Sequence, residues 1–288
     1  MCRWLVYRGE PVYLDTLVTE PKHSLMAQSL KAHEAKIETN GAGFGVGWYG
    51  ERDVPGLFRE PFPAWNDDNL RGLCQQIRSR FFFAHVRSST GTPVSRANCH
   101  PFVMGKWMFM HNGQIGGYDR LRRALEFEID EKVYAHRKGT TDSELLFLMA
   151  MSHGGERDPV GALRFSLAHA ESLMRSNGIS EPLKFAAAIG DGHTLHAFRY
   201  SSDGQSPSLY YRCSAGGLVV VSEPLDRDEP GAWTPVPVGS VLSFSAETGC
   251  SPVIAPFSPG QKLSAAAELG PQLRTLRRWR PGRAEWQS

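Results

Sequence analysis

Apolar positions fall into short blocks whose spacing changes along the chain, and the spacing predicts the elements. Cys2 to Tyr7 carries apolar residues on both alternating faces, the pattern of a strand covered on two sides and therefore central in a sheet. Gly43 to Tyr49 (GFGVGWY) predicts a glycine-rich strand whose missing side chains admit close approach of another element or a ligand. Asp53 to Trp65, interrupted by Pro55, Pro61 and Pro63, reads as a surface excursion. Asn69 to Ile77 fits a helix with Leu70, Leu73 and Ile77 on one face, and Phe81 to Arg87 (FFFAHVR) a strongly apolar strand with a polar end. A further strand, Lys106 to Met110, runs straight into His111-Asn112-Gly113. Helices are signalled from Tyr118, Thr141 and Asp158, the last with Pro159 in its first turn and Asn177-Gly178 as its stop.

The remainder is β-rich: Leu183 to Ile189, a Gly-Asp-Gly turn, Thr194 to Tyr200, Leu209 to Cys213, Leu218 to Ser222 and Ser240 to Phe244. Several of these are spaced as antiparallel hairpins. Helices interposed between two strand groups favour a layered α+β domain over a parallel βαβ array. No internal repeat or low-complexity tract is present. From about Pro256 strand character fades and Arg274, Arg277, Arg278, Arg280 and Arg283 accumulate, so residues 256–288 are expected to form a basic tail or a docked terminal helix.

Composition narrows the partners. The 288 residues, 41% hydrophobic and 22% charged, suffice for a large core. A net charge of +2 supplies no global field toward nucleic acid or an anionic membrane. Five scattered cysteines without a C-x-x-C pair argue against a disulfide framework or a zinc ribbon and make a reducing cytoplasm the simpler location. No stretch approaches the ~20 apolar residues of a membrane span, and the start does not resemble a signal peptide, so the mature chain is expected to begin at or next to Met1.

Four places offer chemistry. Cys2 reads either as a small buried hydrophobe on the first strand or as a nucleophile: loss of Met1 would give one residue both a thiol and a free α-amine. Reference pKa values of about 8.5 and 7.7 to 8.0 let that amine relay the thiol proton near neutral pH. His85-Val86-Arg87-Ser88-Ser89-Thr90-Gly91 lies where a buried strand gives way to a loop. There Arg87 either caps carbonyls at the sheet edge or presents a planar fork to a substrate carboxylate, with Thr90 as its companion. Asn112-Gly113 is a strong hairpin-turn signal, and equally a side-chain amide beside a backbone N–H, the two donors an oxyanion needs. Thr141-Asp142-Ser143-Glu144 is a capping box, with Thr141 as N-cap and Glu144 at N3. Asp142 is alternatively the acceptor of a substrate ammonium, opposite Arg87. Cys99-His100 alone does not make a metal site, because adjacency leaves the other ligands unsupplied.

Taken in order, Cys2, His85-x-Arg87-x-x-Thr90-x-Gly, His100-Pro-Phe, His111-Asn112-Gly113 and Thr141-Asp142-Ser-Glu144 resemble the class II glutamine amidotransferase family. The resemblance implies the four-layer αββα sandwich of N-terminal-nucleophile hydrolases over residues 2–255. It also implies the roles: Cys2 the nucleophile, Arg87 and Thr90 the carboxylate site, Asn112 and Gly113 the oxyanion hole, Asp142 the amine site. Members that build amino sugars or purines carry a second, acceptor-binding domain, which 288 residues are not expected to hold. Ser88 stands where those relatives often have an aromatic residue.

Standalone members look closer, through Pro21-x-His23-Ser24-Leu25, the GFGVGWY strand and Val221-Ser222-Glu223-Pro224-Leu225. These stretches also resemble the γ-glutamyl hydrolase of ergothioneine biosynthesis, which acts on a γ-glutamyl-cysteinyl conjugate. The expected activity is therefore hydrolysis of a γ-glutamyl amide through a γ-glutamyl thioester, with no metal or organic cofactor required. The substrate is glutamine or another γ-glutamyl amide, and an acceptor or synthase protein is a possible partner. The contrasting expectation is a non-catalytic interaction protein that keeps the sandwich and retains Met1.

Overall fold

The computed structural model describes residues 2–34, 39–88, 91–226, 231–245 and 251–260. In chain order the elements are β1 (Arg3–Tyr13), α1 (Asp15–Val18), α2 (Leu25–Leu30), β2 (Phe44–Tyr49), β3 (Gly56–Glu60), α3 (Asp68–Gln76), β4 (Arg78–Val86), β5 (Phe102–Met104) and β6 (Trp107–Gln114). There follow α4 (Tyr118–Glu126), α5 (Glu131–Tyr134), α6 (Asp142–Ser152), α7 (Pro159–Ser176), β7 (Lys184–Gly190), β8 (Thr194–Ser201), β9 (Tyr210–Ser214), β10 (Gly217–Val221), β11 (Thr234–Pro235), β12 (Ser240–Ser245) and β13 (Val253–Pro256). The strands form a seven-stranded sheet, β11-β9-β10-β1-β4-β2-β3, and a six-stranded sheet, β13-β12-β8-β7-β6-β5. Every recorded strand pair is antiparallel.

Strand alternation sorts the side chains into three cores, and the cores define four layers. In β4, Phe82, Ala84 and Val86 pack with Leu5 and Tyr7 of β1 against Val18, Leu25, Met26 and Leu70 of α1, α2 and α3. Phe81 and Phe83 point the other way and join Trp4, Val6, Met108, Met110, Ala188, Leu195 and Leu242 between the sheets. Phe109, Phe185, Ala187, Ile189 and Phe198 on the far side of the second sheet bury Leu121, Leu146, Phe147, Leu163 and Leu167 of α4, α6 and α7. The αββα sandwich is thus the arrangement that covers both faces of both sheets, and β1 is central, as its two-sided apolar pattern requires.

The glycine-rich strand explains itself in the inter-sheet layer. A Cβ on Gly45 would lie 2.1 Å from the His100 carbonyl oxygen, and one on Gly47 would lie 2.5 Å from Met108 Sδ. The close approach expected there is made by the opposite sheet and the segment before β5.

Several local expectations are corrected. Residues 53–65 are more than an excursion: Gly56–Glu60 pairs with β2 as the edge of its sheet, and Pro55, Pro61 and Pro63 flank that strand. Asn112-Gly113 makes no turn, because β6 continues through it, with Asn112 opposite Ala186 and Gly113 opposite Phe185. Thr141 caps α6 as expected, its Oγ accepting from Glu144 N at 3.2 Å. Glu144 does not reciprocate; its carboxylate accepts from Lys138 N and Gly139 N at 2.9 and 2.7 Å and so braces the loop before the helix. The helix from Asp158 follows the expectation fully, with Asp158 accepting from Gly161 N and Pro159 opening the first turn. β13 and the buried Phe257 carry packing slightly past residue 255, while the expected arginine tail lies outside the described residues. Among those residues no helix is long and apolar enough to cross a membrane.

Candidate active site

Side-chain parity gathers the site. Cys2, just before β1, shares the inward parity of Trp4 and Val6; His85 on β4 and Arg87, one residue past its end, share that of Phe81 and Phe83; on β6, Asn112 shares that of Met108 and Met110. β1 and β4 both lie against β6 across the layer. All four side chains therefore enter one end of the inter-sheet space.

Cys2 is half-buried, and Ser88 frames its thiol: the Ser88 N–H donates to Sγ at 3.4 Å, and the Ser88 carbonyl lies 3.7 Å from the same sulfur. Arg87 is buried. Its backbone N–H donates to Gly43 O at 2.7 Å, and its guanidinium donates to Ala42 O at 3.3 Å and to the Thr92 hydroxyl and carbonyl. The carbonyl-capping reading is thus realised, and these contacts orient the fork without filling its five donors. Thr90 lies outside the described residues.

Asn112 is 1% exposed, yet its side-chain Nδ2 has no hydrogen-bond partner among the described residues. Gly113 could not be another residue, since a Cβ would meet the Lys184 carbonyl oxygen at 1.9 Å. His85 is aimed at the main chain of His111, the residue before Asn112, and stacks on His100 with ring centroids 4.1 Å apart. No nitrogen of either ring reaches a described partner in full hydrogen-bond geometry. Burial pushes His85 down to about 3 and His100 well below the usual histidine value, so both are neutral around pH 7.

Asp142 stands apart from this group, at the first turn of α6 and on the helix side of the second sheet. Its Oδ2 accepts from Ile115 N at 2.9 Å, just beyond the end of β6, and its Oδ1 accepts from the Ser143 hydroxyl. Ser143 in turn lies 2.9 Å from His111 Nδ1. No hydrogen bond or ion pair joins Asp142 to Arg87 or Cys2; strand parity turns Cys2, Arg87 and Asn112 toward the inter-sheet layer, while Asp142 reaches β6 only at its end, through Ile115 N.

The family model for class-II glutamine amidotransferases matches residues 17–214, more than half of the chain. The chain belongs to this family. The matched stretch contains Arg87, Asn112, Gly113 and Asp142 and begins after Cys2. This amidotransferase is 31% identical to the probable glutamine amidotransferase DUG3 of Saccharomyces cerevisiae, over 86% of this chain and 83% of that one. It is 30% identical to the gamma-glutamyl-hercynylcysteine sulfoxide hydrolase of Mycolicibacterium smegmatis, over 82% and 92% respectively. Among solved structures, a class-II glutamine aminotransferase domain protein from Silicibacter pomeroyi superposes with a TM-score of 0.70 at 38% identity, covering 90% of this chain and all of that one. Glutamine phosphoribosylpyrophosphate amidotransferase of B. subtilis, at 15% identity and a TM-score of 0.58, shares the fold over 49% of its own length. Membership carries the enzyme class with it, an amidohydrolase acting on carbon–nitrogen bonds.

Sequence reasoning passed over one part of the amidotransferase. Arg3, fully buried, donates through Nε to Glu223 Oε2 at 2.8 Å and through Nη1 to the Cys2 carbonyl at 3.2 Å. Glu223 Oε1 lies 2.7 Å from His23 Nε2. The available signal was the resemblance to standalone members itself, whose two stretches around His23 and Glu223 each hold one member of this cluster.

Proposed function

We propose that Cys2, once Met1 is removed, hydrolyses a γ-glutamyl amide. The free α-amine takes the thiol proton, and the thiolate attacks the δ-carbonyl carbon. The oxyanion accepts hydrogen bonds from Asn112 Nδ2 and the Gly113 N–H. Collapse breaks the C–N bond, the departing amine takes the proton held by the α-amine, and a γ-glutamyl thioester remains. Water, deprotonated by the same amine, attacks the thioester and releases glutamate with the thiol restored. Arg87, with Thr90, receives the α-carboxylate, and Asp142 receives the α-ammonium, so the two ends of one glutamyl group span the gap between them.

The observation that carries this reading is the Asn112 amide, buried without a partner on the face that Cys2 also enters. An unsatisfied buried donor costs about 1–3 kcal/mol, a cost that a ligand oxygen removes. Ser88 adds support by holding the thiol.

The test is turnover of glutamine by chain made with its native N-terminus. Intact mass should show loss of one methionine, and glutamate and ammonia should appear. Cys2→Ala and an N-terminally extended chain should each fall by roughly a thousandfold or more. Equal rates in all three forms would defeat the reading, and retained Met1 would favour a non-catalytic interaction protein.

A second reading concerns the leaving group. Similarity over 92% of a hydrolase named for a γ-glutamyl-cysteine-type conjugate supports a bulky amine, as similarity over 83% of a probable glutamine amidotransferase supports ammonia. Competition between glutamine and such a conjugate decides it. If ammonia leaves, the chain is a glutaminase or the ammonia-supplying half of an assembly with a synthase protein.

A further inference from the structure

A buried charge cluster lies directly behind the nucleophile, on the helix side of the first sheet. The Glu223 carboxylate is fully buried and gathers three separate segments: Arg3 at the start of β1, His23 just before α2, and the main-chain N–H groups of His33 and Glu34 at 2.8 and 3.1 Å. The neighbouring residue is part of the same frame. Ser222 Oγ accepts from Trp4 N at 2.9 Å, and Ser222 N donates to Trp4 O at 3.0 Å. Gln28 of α2 closes the set by donating to the His23 and Glu223 carbonyls.

Two uses of this cluster compete. His23, His33 and Glu223 bring three ligand-type atoms within 4.8 Å, which suits a cation. Against that, both carboxylate oxygens already accept two or more donors, and the Arg3 guanidinium sits 2.8 Å away with a fixed positive charge. A cation would displace hydrogen bonds and face that charge. The alternative begins with what Arg3 touches, the carbonyl of Cys2 itself. A buried ion pair is a poor device for stability alone, since taking two charges out of water costs several kcal/mol. This one also leaves Arg3 Nη2 buried without a partner. Its distinctive product is a fixed guanidinium against the first peptide group of the processed chain.

We infer that Glu223 is a positioning residue for the nucleophile: it locks Arg3, and Arg3 grips the Cys2 carbonyl, so that the terminal thiol and amine are held in one orientation on an otherwise free chain end. The inference rests on the reading of Cys2 as nucleophile. A terminal residue has no preceding peptide to hold it, so its orientation depends on its side chain and on its own carbonyl. Ser88 supplies the first restraint and Arg3 the second. His23 supports Glu223 from the side opposite Arg3.

The experiment follows covalent labelling of Cys2 by a diazoketone analogue of glutamine, with kcat and KM for glutamine and the thermal midpoint measured on the same preparations of full chain. With native circular dichroism, Glu223→Gln should slow both labelling and kcat about ten- to hundredfold, the scale of a small misplacement of a reacting group, and leave KM nearly unchanged. Glu223→Asp, which keeps the charge, should recover most of the loss, and His23→Gln should cost less than Glu223→Gln. Labelling of Glu223→Gln at the wild-type rate overturns the inference alone. Wild-type chain that takes no label removes the nucleophile reading and this inference with it. Should Glu223→Gln not fold, Arg3→Lys, which keeps the charge but not the fork that reaches both Glu223 and the Cys2 carbonyl, decides on the same terms, and a wild-type labelling rate in it overturns the inference.

Discussion

The inter-sheet layer has two ends built from opposite chemistry. At the end away from Cys2, Tyr49, Phe81, Met108 and Leu195 fill the space with apolar surface. There the Tyr49 hydroxyl is shared between the carbonyls of Lys106 and Gly190, at 2.7 and 2.8 Å, and ties one sheet to the other. At the Cys2 end, the same layer holds His85, four residues along β4 from Phe81, with His100 and Asn112, and no described residue satisfies the ring nitrogens or the amide nitrogen. One end ties the sheets together through the Tyr49 hydroxyl and apolar packing. The other keeps desolvated polar atoms that no described residue satisfies. Stability and chemistry are thereby assigned to different stretches of the same strands.

That division breaks if a substitution at one end behaves as though made at the other. Phe81→Ala should lower stability by about 3–5 kcal/mol, the range for a fully buried aromatic ring, while the protein that remains folded keeps its kcat. Asn112→Ala should do the reverse, lowering kcat about 10²- to 10³-fold through loss of an oxyanion donor. Its stability should change little, because the amide nitrogen removed satisfies nothing in the folded chain. Urea unfolding and glutaminase rates on both variants check this. A destabilised but fully active Asn112→Ala would erase the distinction.

Tyr49→Phe sharpens the comparison with a smaller change. It removes the hydroxyl and leaves the Lys106 and Gly190 carbonyls without that donor, at an expected cost of about 1–3 kcal/mol. The ring still packs on Phe81 at 5.1 Å, so kcat and KM should stay at wild-type values. Altered KM would mean that the apolar end reaches into catalysis after all.

Much of this arrangement was legible in the sequence because alternation is a local signal. The FFFAHVR run already assigns Phe81, Phe83, His85 and Arg87 to one face, and Thr141 and Asp158 announce their helices through N-cap chemistry that needs only the next three residues. Asn112-Gly113 misled as a turn signal, since what decides between turn and strand is the ladder with β7, more than seventy residues later. Glu144 likewise follows the capping pattern locally, but the loop at Lys138 and Gly139 competes for its carboxylate and wins. Arg3 and Glu223 are 220 positions apart, and nothing in the composition around either one announces a partner. Edge strands such as β3 were missed because an edge buries too little to impose a pattern, and its flanking prolines read as breakers.

The smallest expected effect tests the site end by pH. Burial holds His85 at about 3 and pulls His100 and His111 below the ordinary value near 6.5. The unfolded chain therefore binds protons at these rings that the folded chain refuses. Their contribution to stability is full above pH 6.5 and is lost as pH falls toward 3, at under about 1 kcal/mol per histidine between pH 7 and 6. Glu223 adds a lower window. Burial alone would raise its pKa, but the hydrogen bonds from His23, His33 N and Glu34 N, with the charge of Arg3, bring it down to about 2. Its contribution is present above 4.5 and is lost between there and 2. The urea midpoint should thus decline in two overlapping stages on acidification. His85→Phe should shrink the first stage and leave the second, because His100, His111, His153 and His196, all pulled down by burial, still titrate in that window. A midpoint that stays level from pH 7 to 5 would mean that the buried imidazoles accept protons in place, and that the site end is wetter than its packing indicates.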